Sequence, residues 1–382
     1  MAISEAPVAT ADESPSSLRQ FRRSLDRTQW LVLAGMAGFI VLLHVVGWGV
    51  LFGAVAPKEL RLGDGQMYGV ALGVTAYVLG MRHAFDADHI AAIDNTTRKL
   101  VAEDKKPLSV GFWFSLGHSS IVFGLCLLLG IGVKALSGQV ENEDSTLQQF
   151  TGVFGTSVSG LFLIALGMIN LVSLIGILGV WSGMRSGVYD EQALEHQLDN
   201  RGLMNRILRP VMKGVRQPRH MYPVGFLFGL GFDTATEVSL LVLAAGSAAV
   251  SVPWYAILVL PVLFAAGMSL LDSIDGVFMN FAYGWAFARP VRKVYYNIVI
   301  TGLSVAVALV IGLIEIDSIL VEKLSIDSGP LHAIGTLDLN YVGYVIAGLF
   351  ALTWAVALLW WRFGRVEERW SAGLAGRASS QS

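Results

Sequence analysis

The nine residues Arg82-His83-Ala84-Phe85-Asp86-Ala87-Asp88-His89-Ile90 carry five ionisable side chains inside an apolar stretch. Ionisable groups at membrane depth are costly and face the bundle interior, so they mark a functional site by default. On a helix advancing about 100° per residue, Asp86 and His89 fall about 60° and 120° to one side of His83, so the three share a face. Asp88 falls about 140° to the other side. It can orient a ligand, pair with Arg82, or bind metal if the helix opens. Two imidazoles and a carboxylate on one face suit a borderline divalent ion such as nickel, cobalt or zinc. The plainer reading is a buried salt-bridge network around Arg82. So many charges cost more to bury than most structural bridges return.

Three further motifs carry polar groups in apolar surroundings. Gly117-His118-Ser119-Ser120 holds a lone His, ordinarily a packing residue; the His/Asp stretch that precedes it makes His118 a candidate ligand. Asp233 and Glu237 stand four residues apart in LGFDTATE (230–237), one above the other on a helix face. Asp272 and Asp275 stand three apart in GMSLLDSIDG (267–276). Paired buried carboxylates form a cation site, a proton relay or a structural pair sharing a proton. Counted from the ends of their apolar segments, His83, His118, Asp233 and Asp272 all lie near the middle of the membrane, where one polar site can gather them.

These residues need a membrane bundle to position them. Of 382 residues, 54% are hydrophobic and only 15% charged, too few to cover a soluble surface. Mean hydropathy is +0.59. Eight apolar segments can each cross a hydrocarbon layer: 30–52, 68–93, 110–133, 151–181, 222–250, 254–287, 295–316 and 339–361. The fourth and sixth are long enough to tilt, to extend past the lipid, or to break at Gly176 and Pro261. With eight spans, 22 of the 27 Lys and Arg fall on one side and 4 on the other, and Arg82 lies within a helix. The asymmetry puts both termini in the cytoplasm. The expected organisation is a disordered cytoplasmic tail (1–28), a transporter domain (29–365) with a polar cytoplasmic loop (182–221), and a second tail (366–382). The first tail is too long and acidic to lead a signal peptide. Phe85-Asp86 and Phe232-Asp233 recur in helices two and five, which run in opposite directions; this raises an inverted repeat of helices 2–4 and 5–7.

Other classes are excluded or disfavoured. The single Cys126 removes intrachain disulfides, Cys-based zinc sites and iron–sulfur clusters. A net charge of −2 leaves no basic footprint for nucleic acid. No GxxxxGK[ST] phosphate loop occurs, so the chain is not expected to hydrolyse ATP, and no ATPase subunit is evident. An intramembrane metalloenzyme would carry HEXXH or several HXXXH boxes, and the sequence has none. A metal exporter shares the same physics, because residue chemistry does not set direction.

At these four motifs the sequence resembles the NiCoT family of nickel/cobalt transporters. The matches are RHAFDADHI, with its HX4DH core at His83, Asp88 and His89, then LGHSS, LGFDTATE and GMSLLDSIDG, in the family's order. The resemblance runs from helix one to helix eight and omits the tail. It implies an eight-helix permease for high-affinity Ni²⁺ or Co²⁺ uptake across the cytoplasmic (inner) membrane, with the HX4DH residues essential and no prosthetic group. It also associates selectivity with helices one and two, where His44 can contribute or simply pack.

Overall fold

The computed structural model describes residues 25–60, 67–130, 146–185, 215–230, 252–287, 290–337, 339 and 342–364. These form ten α-helices: α1 Arg27–Val50, α2 Val70–His83, α3 Ala87–Ala102, α4 Val110–Gly130, α5 Thr146–Arg185, α6 Met221–Phe228, α7 Trp254–Phe287, α8 Pro290–Lys323, α9 Pro330–Gly335 and α10 Val342–Gly364. Helix α1 starts inside the stretch expected as tail. Asp26 and Gln29 cap each other's backbone there, a reciprocal arrangement that satisfies two orphan donors. The rest of that tail, most of the 182–221 loop and the C-terminal tail lie outside the described residues.

By length and apolarity, five helical stretches among the described residues can cross a membrane: Arg27–Lys58, Val110–Leu128, Gly152–Gly179, Trp254–Gly284 and Ile298–Lys323. A shorter apolar stretch, Val342–Thr353, corresponds to the expected eighth span. Of the fifth, only the start is described, as α6. Of the three alternatives for the long fourth and sixth segments, a break at Gly176 or Pro261 does not occur. Both residues lie inside continuous helices of 40 and 34 residues.

The break falls elsewhere. The expected second span, 68–93, is not one helix: α2 ends at His83, Ala84 to Asp86 turn, and α3 begins at Ala87. Within the turn, Phe85 and Asp86 donate their amides to the Arg82 and His83 carbonyls, three residues back. The helical pattern resumes with Ile90 donating to Asp86. A sequence signal for this exists: Asp86 is a preferred N-cap type, and Asp88 places acid in the first turn of a helix.

Helix α7 is the axis of the bundle and packs against α1, α2, α3 and α4, while α5 packs along α8. Glycines let backbones meet. A Cβ on Gly80 would lie 2.1 Å from the Phe264 carbonyl oxygen, and one on Gly111 1.8 Å from that of Asp272. Small residues at such crossings are how helices associate in lipid. Two main apolar cores result, beside a smaller cluster of Met36, Ile40 and Phe112. One holds Leu51, Ala76, Val122, Leu263 and Phe264. The other surrounds α3 and holds Ile90, Ile93, Phe114, Leu163 and Phe350.

Candidate metal centre

Three imidazoles meet where the two cores join. His83 ends α2, His89 lies in the first turns of α3, and His118 lies mid-way along α4. All three are buried. Each offers a ring nitrogen, and these nitrogens lie within 4.8 Å of one another. Ring centroids are 4.5 Å apart for His83 and His89, 4.7 Å for His83 and His118, and 4.8 Å for His89 and His118. Phe114 stands edge-on to His89, and Phe264 tilts over His83. The cluster is therefore walled by aromatic rings that keep water from competing.

Asp86 explains how His83 is aimed. It occupies the N-cap position of α3, yet its side chain makes no capping bond. Its Oδ2 lies 2.7 Å from Nδ1 of His83 instead. The contact is an ion-pair approach without hydrogen-bond alignment, since Asp86 Oδ2 has no hydrogen-bond partner; a carboxylate this near one ring nitrogen favours a proton there and a lone pair on the other. That other atom, Nε2, lies 2.9 Å from Nε2 of His118. Two nitrogens bound at right angles to one ion at about 2.0–2.1 Å stand about 2.9 Å apart. The spacing thus fits a shared ion as well as a hydrogen bond.

His89 is the exposed chemical question of the site, although it is fully buried. Neither of its ring nitrogens has a hydrogen-bond partner. Oδ2 of Asp272 lies 3.4 Å from its Nδ1, and both Asp272 carboxylate oxygens also lack hydrogen-bond partners. Buried polar atoms in native proteins are almost always satisfied, and leaving them bare costs free energy. A bound cation at this point answers both the bare imidazole and the bare carboxylate.

Of the nine residues expected to handle metal, the structure gathers His83, His89 and His118 directly, with Asp86 behind His83 and Asp272 beside His89. His83 and His89 do share a locus, but through the break and not through the face of a continuous helix. Asp88 lies half-buried in the first turn of α3, where the helix dipole favours an acid. Asp275 lies three residues past Asp272, with one oxygen buried and without a hydrogen-bond partner. Asp233 and Glu237 lie outside the described residues. His44 stands apart from the cluster: Nδ1 is 2.8 Å from the Ile40 carbonyl and Nε2 is 3.2 Å from the Tyr77 hydroxyl. Sequence reasoning missed the polar lining of α3 beyond His89. Asp94, Asn95, Arg98 and Lys99 are all buried, and Arg98 and Lys99 are two of the 22 basic residues counted on the cytoplasmic side. Removing those two leaves 20 basic residues against 4, and the asymmetry stands.

The family model described as a high-affinity nickel-transport protein, NicO, matches residues 69–360. The chain is 58% identical over 360 residues to the nickel transporter NicT of Mycobacterium tuberculosis, covering 94% of this chain and 96% of that one. It is 42% identical over 336 residues to the high-affinity nickel-transport protein NixA of Helicobacter pylori strain 26695, covering 86% and 97%. It is 40% identical over 337 residues to the cobalt transport protein NhlF of Rhodococcus rhodochrous, covering 87% and 93%. No solved structure matches the chain.

Proposed function

The chain belongs to the NicO family of high-affinity nickel-transport proteins, and on that premise we propose that it is a permease that takes up Ni²⁺ or Co²⁺ through the three-histidine cluster. The family consists of transporters and not enzymes, with the metal as substrate. The observation that carries the site assignment is the buried trio His83, His89 and His118, in which both nitrogens of His89 lack hydrogen-bond partners.

In this mechanism a hydrated divalent ion exchanges water for imidazole nitrogen. Nickel and cobalt gain from that exchange, whereas magnesium and calcium favour all-oxygen sites. Asp86 and Asp272 offset the 2+ charge in a medium where an isolated ion is costly. The break between α2 and α3 brings His83, at the end of one helix, beside His89, at the start of the next, and discontinuous helices at binding sites recur in transporters. An inward-negative potential favours entry of a 2+ ion by about 4.6 kcal/mol per 100 mV.

The finer architecture is part of the proposal. Eight spans and cytoplasmic termini are supported by the basic asymmetry, and an inner-membrane location by the family resemblance. The inverted repeat is supported by the recurrence of Phe-Asp at 85–86 and 232–233 in the sequence. Asp88, Asp233, Glu237 and Asp275 are assigned to the cation path on their chemistry and motifs. The deciding experiment is ⁶³Ni and ⁵⁷Co accumulation in cells expressing the chain, with each metal competing against the other. Metal-dependent accumulation is expected. Accelerated loss of preloaded metal would instead make the protein an exporter.

A further inference from the structure

Helices α3 and α7 run side by side in the same direction past the histidine cluster. His89 lies beside Asp272, Ile93 packs at Gly276, and further on Asp94 meets Tyr283. Asp94 is five residues beyond His89, about 7.5 Å along the helix. It is fully buried. The Tyr283 hydroxyl donates to its Oδ1 and lies 3.4 Å from the Ser304 hydroxyl. Its other oxygen, Oδ2, has no hydrogen-bond partner, and neither does the buried Oδ2 of Asp275. Asp275 precedes Gly276, the residue against which Ile93, the neighbour of Asp94, packs. Three carboxylates thus step along the bundle from the imidazoles, and bare buried oxygens recur at each step.

We propose that Asp94 and Asp275, with the Tyr283 hydroxyl that bonds Asp94, form a second, oxygen-only station that receives the divalent cation from the histidine cluster. The inference rests on the permease reading and adds to it the next step of the path. Nickel and cobalt bind nitrogen donors more tightly than carboxylate and hydroxyl oxygen, so the transfer lowers affinity. Arg98, one turn past Asp94 on α3 and donating to the Thr301 hydroxyl at 2.8 Å, adds a positive charge that weakens the station further. Passage through a membrane requires sites that bind well enough to admit an ion and loosely enough to release it, and two stations of falling affinity meet both demands.

The test uses the full-length protein in detergent and in proteoliposomes. Equilibrium Ni²⁺ binding to the wild type is expected to show a tight equivalent and a weaker one. Asp94→Asn is expected to lose the weaker equivalent, to keep the tight one, and to lower the maximal uptake rate about tenfold or more, the scale on which support of metal sites acts. Asp94→Glu should retain the weaker equivalent, and Tyr283→Phe should weaken it severalfold. In the triple variant His83→Ala, His89→Ala and His118→Ala, the remaining Ni²⁺ should show an oxygen-dominated X-ray absorption spectrum. A single equivalent in the wild type, or Asp94→Asn uptake within twofold of wild type, would overturn the inner station while leaving the permease intact. Equal loss of both equivalents in Asp94→Asn, with protein still inserted, would likewise overturn it and make Asp94 a support for the histidines. If the wild type neither binds nor moves Ni²⁺, the permease reading fails and the station fails with it.

Discussion

Asp86 occupies an N-cap position without capping its helix, and that exchange of roles is the most informative residue-level feature. An N-cap carboxylate ordinarily stabilises a helix by about 0.5–2 kcal/mol. Here it is turned toward His83, whose Nδ1 lies 2.7 Å from its Oδ2. Asp86→Asn should therefore weaken metal affinity by about 10–100-fold, the range seen when the support of a ligating His is removed. The maximal rate should change little. ⁶³Ni uptake against concentration, normalised to inserted protein, separates the two parameters. His83→Ala, His89→Ala and His118→Ala should abolish uptake at nanomolar metal, with partial recovery at micromolar metal, because two imidazoles remain to hold the ion. Wild-type uptake by His83→Ala and His89→Ala together would remove the metal assignment of the cluster. Asp272→Asn keeps the shape but loses the charge beside His89, and it should reduce transport more than it reduces membrane-inserted protein.

At the scale of elements, the break between α2 and α3 is held from outside. Gly343, at the start of α10, packs so closely on the turn that a Cβ there would lie 1.4 Å from the Phe85 carbonyl oxygen. The next residue, Tyr344, stacks on the Phe85 ring at 4.9 Å. Gly343→Ala must push α10 away or move the turn that carries Asp86. It should lower uptake affinity by about tenfold or more, since the turn aims a ligand's support. Gly348→Ala, one turn further on where a Cβ would meet nothing within 4 Å, is the matched control and should transport as wild type. Equal uptake by the two variants would show that α10 does not position the break. The same logic applies to Gly117, beside His118, whose Cβ would lie 2.0 Å from the Tyr222 carbonyl oxygen. There α4 and α6 meet backbone to backbone, so Gly117→Ala should displace His118.

For the molecule as a whole, topology and driving force are the quantities to measure. Reporter fusions after residues 140 and 330 should score as external, and fusions after 200 and 375 as cytoplasmic. An external score at 200 would overturn the span count. In proteoliposomes, an imposed inward-negative potential should raise the initial rate of Ni²⁺ entry, because two charges cross the field. A rate indifferent to potential would mean that another charge moves in compensation.

The sequence by itself determined the membrane class, the family and the chemistry of the site. Composition and the basic asymmetry are sums over many residues, insensitive to any local conformation, and His83, His89 and His118 declare themselves because imidazole is out of place among Leu, Val and Phe. Tertiary structure decided where the chain departs from regular helix. Periodicity assumes a continuous helix, and at Ala84 to Asp86 tertiary contacts from Gly343 and Tyr344 accompany a turn that no Pro or Gly announces. It also decided which charges are buried. Arg98 and Lys99 sit at the end of an apolar run, where sequence reads them as loop, yet α3 is surrounded on all sides, and Thr301 and the Val215 carbonyl accept their hydrogen bonds. It separated Asp272 from Asp275, one beside an imidazole and the other about one turn further along α7, because that division depends on which helix lies opposite each turn of α7, and spacing along one chain carries no record of its neighbours.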